Sequence, residues 1–322
     1  MQLTLFLSAA LLAAAVGPVQ AERLAVPYEM FRLPNGLTVI VHEDHSAPIA
    51  SVNTWYHVGS GRETPGRTGF AHLFEHLMFE GSKNVPEGMF DRWLEAVGGV
   101  NNGSTTNDRT NYYEDGPSNA LEVPLFLESD RMGYLLDAMS PEKVDGQRDV
   151  VKNERRQRYE NSPYGLFWDK LPGVLFPEAH PYSWPVIGSM ADLSAASYED
   201  VVSFFQKWYG PANASVVIAG DVDAKEVQAL AEKWFGEIPR SEPVAPLAPR
   251  PVVLTEEKRV VFEDRVQLPR VYLAWPTPAA YSPPSAALDA LASLLADGKN
   301  SRLYKRLVYD LQVAQDVSAI QD

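Results

Sequence analysis

His72-Leu73-Phe74-Glu75-His76 brings metal-binding and proton-transfer groups together within five positions. On a helix, residues four apart lie one above the other on the same face. That spacing lets two imidazoles share one Zn²⁺ at about 2.0–2.1 Å each. Glu75 lies one helical step from His76, within reach of a water on an open metal position. Bound zinc lowers the pKa of such a water to about 7, and a carboxylate can then take its proton. The neighbours Leu73, Phe74, Leu77, Met78 and Phe79 are apolar, so the helix is expected to be largely buried, and a buried Glu beside two His needs a partner.

Two His leave zinc one short of its usual three protein ligands. The chain has six His and no Cys, which excludes a thiolate site, a Cys nucleophile and a disulfide. His42 and His45 fall in a polar turn and read as solvated; His57 reads as a core or rim residue, and His180 as a loop residue. A carboxylate is the better third ligand. The polar helix expected from Pro141 to about Glu160 offers Glu142, Glu154 and Glu160. Spacing does not choose among them, although Glu154, about one turn from Val150 and Val151, has the more packed position.

The elements that must hold these groups follow from local pattern. Pro34-Asn35-Gly36 is a hairpin turn between strands Glu29–Leu33 and Leu37–His42, and Ile49–Val58 is a third strand. Thr68–Glu80 has helical periodicity. Helices are also expected over Pro86–Val97, Ser118–Met139, Tyr198–Trp208 and Ala224–Trp234, with Thr110–Tyr113 extended and Ala214–Ala219 a buried strand. Five prolines between Ile238 and Pro251 mark residues 239–251 as a semi-rigid linker. Beyond it the order appears again as strands Val252–Phe262 and Arg270–Trp275 and helix Ala286–Leu295. The expected units are a zinc-binding unit over 22–238 and the incomplete start of a second, homologous one over 252–322.

The chain has 322 residues, with 28 Lys+Arg against 42 Asp+Glu, a net charge of −14. An acidic balance argues against a nucleic-acid partner, which needs a basic face. Leu3–Val16 is apolar but short for a bilayer, and Val19-Gln20-Ala21 puts small residues at −3 and −1. Residues 1–21 therefore read as a secretory signal peptide, which implies a periplasmic or secreted protein. No later stretch is long and apolar enough for a stable membrane span.

The run Arg67–Ser82 around the His pair resembles the active-site helix of the pitrilysin/insulinase metallopeptidases, whose H-x-x-E-H order is the inverzincin signature. The processing-peptidase-like branch is the most similar. The resemblance extends over about residues 28–322. It implies an α+β fold of two homologous mixed-sheet-plus-helix domains facing each other as a clamshell, the second truncated here. It also implies Glu154 as third ligand, 78 positions after His76 in Val150-Val151-Lys152-Asn153-Glu154. One Zn²⁺ per chain is then held by His72, His76 and Glu154, with Glu75 as base. Gly98–Thr105, continuing to Tyr113, resembles the family's edge strand, which pairs with substrate backbone and implicates Asn102, Gly103, Ser104 and Thr105. An exposed edge is a sensible peptide reader. Gln147 stands where relatives often carry a Glu, and the Arg and Tyr that the family's second domain supplies would lie beyond Asp322. The function implied is a zinc endopeptidase acting on peptides or unfolded segments; the alternative is a non-catalytic member serving as scaffold or partner subunit. A homo- or hetero-oligomer with a second family subunit is compatible with either.

Overall fold

The computed structural model describes residues 25–248 and 250–321; the signal segment expected at 1–21 lies outside them. Burial alternates along the strands, as in a sheet with one covered face. In β3 (Ile49–Tyr56), Ala50, Val52, Thr54 and Tyr56 are buried while their neighbours are not. β2 (Thr38–Glu43) and β6 (Ala214–Gly220) follow the same rule. With β1 (Glu29–Arg32), β4 (Val100–Thr105) and β5 (Thr110–Pro117) they form a six-stranded mixed sheet of order β1-β2-β6-β3-β5-β4. Only the β2–β6 pair is parallel. The fold is α+β, as expected.

The hairpin turn is anchored by Asn35. Its side chain accepts from Leu37 N (3.2 Å) and donates to the carbonyls of Phe235 and Ile238 (2.7 and 3.1 Å), at the end of α8 (Ala224–Phe235). The helices carry local start signals. Ser140 caps α4 (Pro141–Arg155) with proline in its first turn, a position where the missing N–H costs nothing. Ser197 and Asp200 form a reciprocal capping box on α7 (Tyr198–Trp208). The helix expected from Pro86 begins later, as α2 (Met89–Ala96), behind Gly88 at φ +72°. Ser118 opens only a single tight turn, and α3 runs Glu122–Tyr134. Residues 163–185, rich in proline and aromatic residues, contain α5 (Leu166–Leu175), and α6 (Met190–Ala195) follows them; Pro172 inside α5 hides its period.

A buried charge cluster was not legible in the sequence. Arg131 of α3 is 1% exposed. Its guanidinium lies 4.3–5.0 Å from the ring centroids of Tyr112, Phe90 and Phe79 and pairs with Glu114 of β5 (3.0 Å) and with Glu128. Burial and the Glu128 charge push the Glu114 carboxyl up, against the pull of Arg131. Two buried carboxylates therefore depend on one cation. Arg131→Met is expected to destabilise the fold by roughly 3–5 kcal/mol, the cost of breaking a buried pair from one side, read as a lower urea midpoint. An unchanged midpoint would show that the cluster contributes nothing to stability.

After α8 the expected strands Val252–Phe262 and Arg270–Trp275 do not form, and among the described residues no strand lies beside them. A strand is completed by its neighbour's ladder; with none adjacent, the apolar side chains meet solvent, with Val253, Val261, Val271 and Leu273 all exposed. The segment instead rests on α5 and the turn before it. Tyr272 stacks on Phe167 (centroids 3.6 Å), Arg270 lies over Tyr164 (4.2 Å), and Tyr164 Oη donates to Leu268 O (2.8 Å). Residues 239–251 carry no helix or strand where described. The later helix forms as α9 (Ser285–Ala296). No helix among the described residues is long and apolar enough to cross a membrane.

Candidate metal centre

The His pair lies on α1 (Phe70–Leu77), a helix of two turns. Gly69 occupies its N-cap at φ +88°, and a Cβ there would stand 2.7 Å from Ile187 O. A side chain at this position is excluded by both backbone angle and space, so the helix has no local cap. Its first amides are satisfied from elsewhere. Glu63 accepts from Gly69 N (3.0 Å) and Ala71 N (2.8 Å), and Asp192 of α6 accepts from Thr68 N (3.0 Å) and Thr68 Oγ1 (2.6 Å). Burial pushes the Glu63 carboxyl up to about 8, while the amides of Ala71 and Gly69 pull it down.

α1 lies against α4 on one side and β4 on the other. On the α4 side, His76 Nε2 is 3.2 Å from Glu154 Oε2, and His72 Nε2 is 3.7 Å from Glu154 Oε1. Among the described residues, His72, His76 and Glu154 are the one group of three whose ligand atoms lie within 4.8 Å of one another. Donors around a tetrahedral zinc at about 2.1 Å stand roughly 3.4 Å apart, so the observed separations bracket what one ion requires. Two imidazoles with one carboxylate is also a donor set of catalytic zinc sites that keep a position open. Glu142 and Glu160, equally open to sequence spacing, are not in the group. Of the two valines near Glu154, Val151 is buried and Val150 is exposed.

The electrostatics suit a cation. Burial pushes the His72 imidazole down to about 4, against the opposing pull of Glu154, so it is neutral with a free lone pair near pH 7. Its Nδ1 is buried and has no hydrogen-bond partner among the described residues. The contact with His76, then His72 and Arg158, holds the Glu154 carboxyl below its ordinary range. Arg158, in the wider turn after α4, lies 3.0 Å from Glu154 Oε1. Gln147 is on the same helix but donates to Glu80 Oε1 (2.7 Å), just past the end of α1.

On the other side, Glu75 faces β4. Thr105 Oγ1 donates to Glu75 Oε2 (2.6 Å), and burial pushes the Glu75 carboxyl up while Thr105 opposes it. A Cβ on Gly103 would lie 3.2 Å from Glu75 Cγ and from the Tyr112 ring, so glycine lets the strand pass close to the helix. β4 pairs only with β5 and is the last strand of the sheet. Its outer edge therefore offers unpaired peptide groups. Of the four residues implicated there, Thr105 and Gly103 adjoin Glu75. Ser104 Oγ donates to Asn111 Oδ1 (2.7 Å), and Asn102 Oδ1 accepts from Gly103 N (2.8 Å). The remaining His are elsewhere: His45 pairs with Asp221, His57 with Ser215, His42 with Pro27 O and His180 with Arg250 O. Glu63 and Asp192 had no sequence signal, because they cap a helix from outside its own start.

The chain is similar to known proteins over most of its length. The family model described as insulinase (peptidase family M16) matches residues 38–171. The model described as the peptidase M16 inactive domain matches residues 195–322, a range that includes β6 at the middle of the sheet beside α1. The zinc protease PqqE of Helicobacter pylori is 34% identical over 306 residues, 94% of this chain and 68% of its own length. An uncharacterized zinc protease of Mycobacterium leprae is 30% identical over 295 residues, 89% of this chain and 65% of its own. The crystal structure of a protease from Helicobacter pylori superposes with a TM-score of 0.77 at 29% identity, covering 91% of this chain and 70% of that one. The chain thus spans about two thirds of the length of these relatives.

Proposed function

Because the chain belongs to the insulinase family of peptidases (family M16), we propose that it is a zinc-dependent endopeptidase cutting peptides or unfolded protein segments. The observation that carries this reading is the convergence of His72, His76 and Glu154, with Glu75 one helical step from His76 and bonded to an edge strand. His72, His76 and Glu154 would hold one zinc per chain. Such an ion supplies a more acidic water and a Lewis acid for the scissile carbonyl. Glu75 takes the proton of the attacking water and passes it to the leaving amine. Thr105 holds Glu75 through Oε2 and so fixes where that proton is received. The substrate lies along β4 as an added strand, read by main-chain groups near Asn102, Gly103 and Ser104, which favours extended chains over folded ones.

The catalytic unit in this reading is residues 22–238, joined by 239–251 to residues 252–322, which belong to a second, homologous unit. With a signal segment at 1–21 the protein works in the periplasm or outside the cell, alone or with a second family subunit. The test is hydrolysis of a quenched fluorescent peptide by the purified chain. Turnover should disappear with a chelator and return with about one equivalent of zinc. A folded, zinc-loaded chain that cleaves no extended peptide would favour the non-catalytic, partner-subunit reading.

A further inference from the structure

Glu63 is 7% exposed, has no cationic partner among the described residues and takes no part in the chemistry above. Its surroundings give it another task. The turn just before it, Ser60–Arg62, is joined backbone to backbone to the β4–β5 connection: Ser60 N donates to Thr106 O (3.1 Å) and Gly61 N to Asn107 O (2.7 Å). Asn107 Nδ2 donates in turn to Ser60 Oγ (3.1 Å). Three residues after Ser60, Glu63 reaches the first amides of α1, one of them on Ala71, next to His72. The start of α1 is thereby tied through Glu63 to the end of β4, and its middle is tied to the same strand through Thr105 and Glu75. Two ties fix a helix of eight residues in both distance and tilt. A local cap could not replace the first, because Gly69 has no room for a side chain.

We propose that Glu63 is a positioning residue: by capping α1 from the turn bound to the β4–β5 connection, it sets how far the metal-binding face of α1 stands from the strand that reads substrate. This rests on the peptidase reading above. Both carboxyl oxygens of Glu63 can accept in either protonation state, whereas Gln offers one acceptor oxygen and turns an NH₂ toward the other donor. Glu63→Asp keeps both oxygens on a shorter stem.

The test compares wild type, Glu63→Gln and Glu63→Asp. In the metal-free proteins, amide exchange at Gly69 and Ala71 should quicken at least about tenfold in Glu63→Gln, with protection elsewhere kept, as expected for local opening. In the zinc-loaded proteins, kcat per folded molecule should fall on the order of 10–100-fold with KM nearly unchanged, because misplacing reacting groups by about 1 Å costs rates of that size. Glu63→Asp should recover part of both. Unchanged Ala71 exchange in Glu63→Gln, or a loss of turnover accounted for by the unfolded fraction alone, overturns the proposal. Should Glu63→Gln not fold, the same readings on Glu63→Asp decide, and wild-type values there overturn it equally. Wild-type protein without zinc-dependent turnover would remove the peptidase reading and leave the exchange comparison to judge Glu63 by itself.

Discussion

Glu75→Gln is expected to leave zinc in place and to lower peptide hydrolysis by about 10²–10⁴-fold, the range for a lost general base. The substitution isolates proton transfer because little else changes. Gln has nearly the volume of Glu, so the close passage of Gly103 over the Glu75 stem is kept. Its amide oxygen can still accept from Thr105, whose hydroxyl now bonds Glu75 Oε2 at 2.6 Å. The three metal-binding side chains, His72, His76 and Glu154, are left unchanged. Gln cannot take a proton at neutral pH, and that difference carries the predicted loss. Zinc content and cleavage of a quenched peptide, measured on one preparation, check it. A zinc-replete variant within about tenfold of wild type would move the base to another residue.

His76→Ala is expected to abolish both stoichiometric zinc and zinc-dependent turnover, and His72→Ala to do the same with an added loss of stability. Removing either imidazole leaves two protein donors where catalytic zinc sites use three. The two positions differ in burial. His76 is partly exposed, so its truncation removes a ligand with little packing cost, whereas His72 is 7% exposed and its truncation also leaves a cavity. His76→Ala is therefore the cleaner variant, with an unfolding midpoint near wild type in the metal-free state. Metal analysis after gel filtration reads the outcome, and one zinc per chain retained in folded His76→Ala would place the ion elsewhere.

What the sequence revealed depends on the range over which each feature acts. His72, Glu75 and His76 were legible because the helical repeat alone brings i and i+4 together. The third ligand was not, since Glu142, Glu154 and Glu160 share a helix and only its packing on α1 separates them; resemblance to a family pointed to Glu154 before geometry did. The edge strand was legible through the family resemblance and not from its own pattern. Val100-Asn101-Asn102-Gly103-Ser104-Thr105 has the composition of a turn, and its strand character comes from pairing with β5. Glu63 caps a helix whose N-cap, Gly69, lies six residues after it, and Arg131 is a charge inside the core whose partners come from α3 and β5. Neither pattern has a local signature. The opposite error lies at Val252–Phe262 and Arg270–Trp275, where the repeated order of elements predicts strands. A strand needs a neighbour to pair with, and among the described residues these segments have none.

The claim on which the rest depends is that His72, His76 and Glu154 together bind one zinc, and X-ray absorption at the zinc edge of the loaded chain tests it most directly. The expected spectrum has a first shell of nitrogen and oxygen at about 2.0–2.2 Å with the outer scattering of two imidazoles, no sulfur, and four or five ligands in all. Loss of half the imidazole scattering in any zinc that His76→Ala retains would agree with the same assignment. A first shell of oxygens alone, without imidazole scattering, would contradict it.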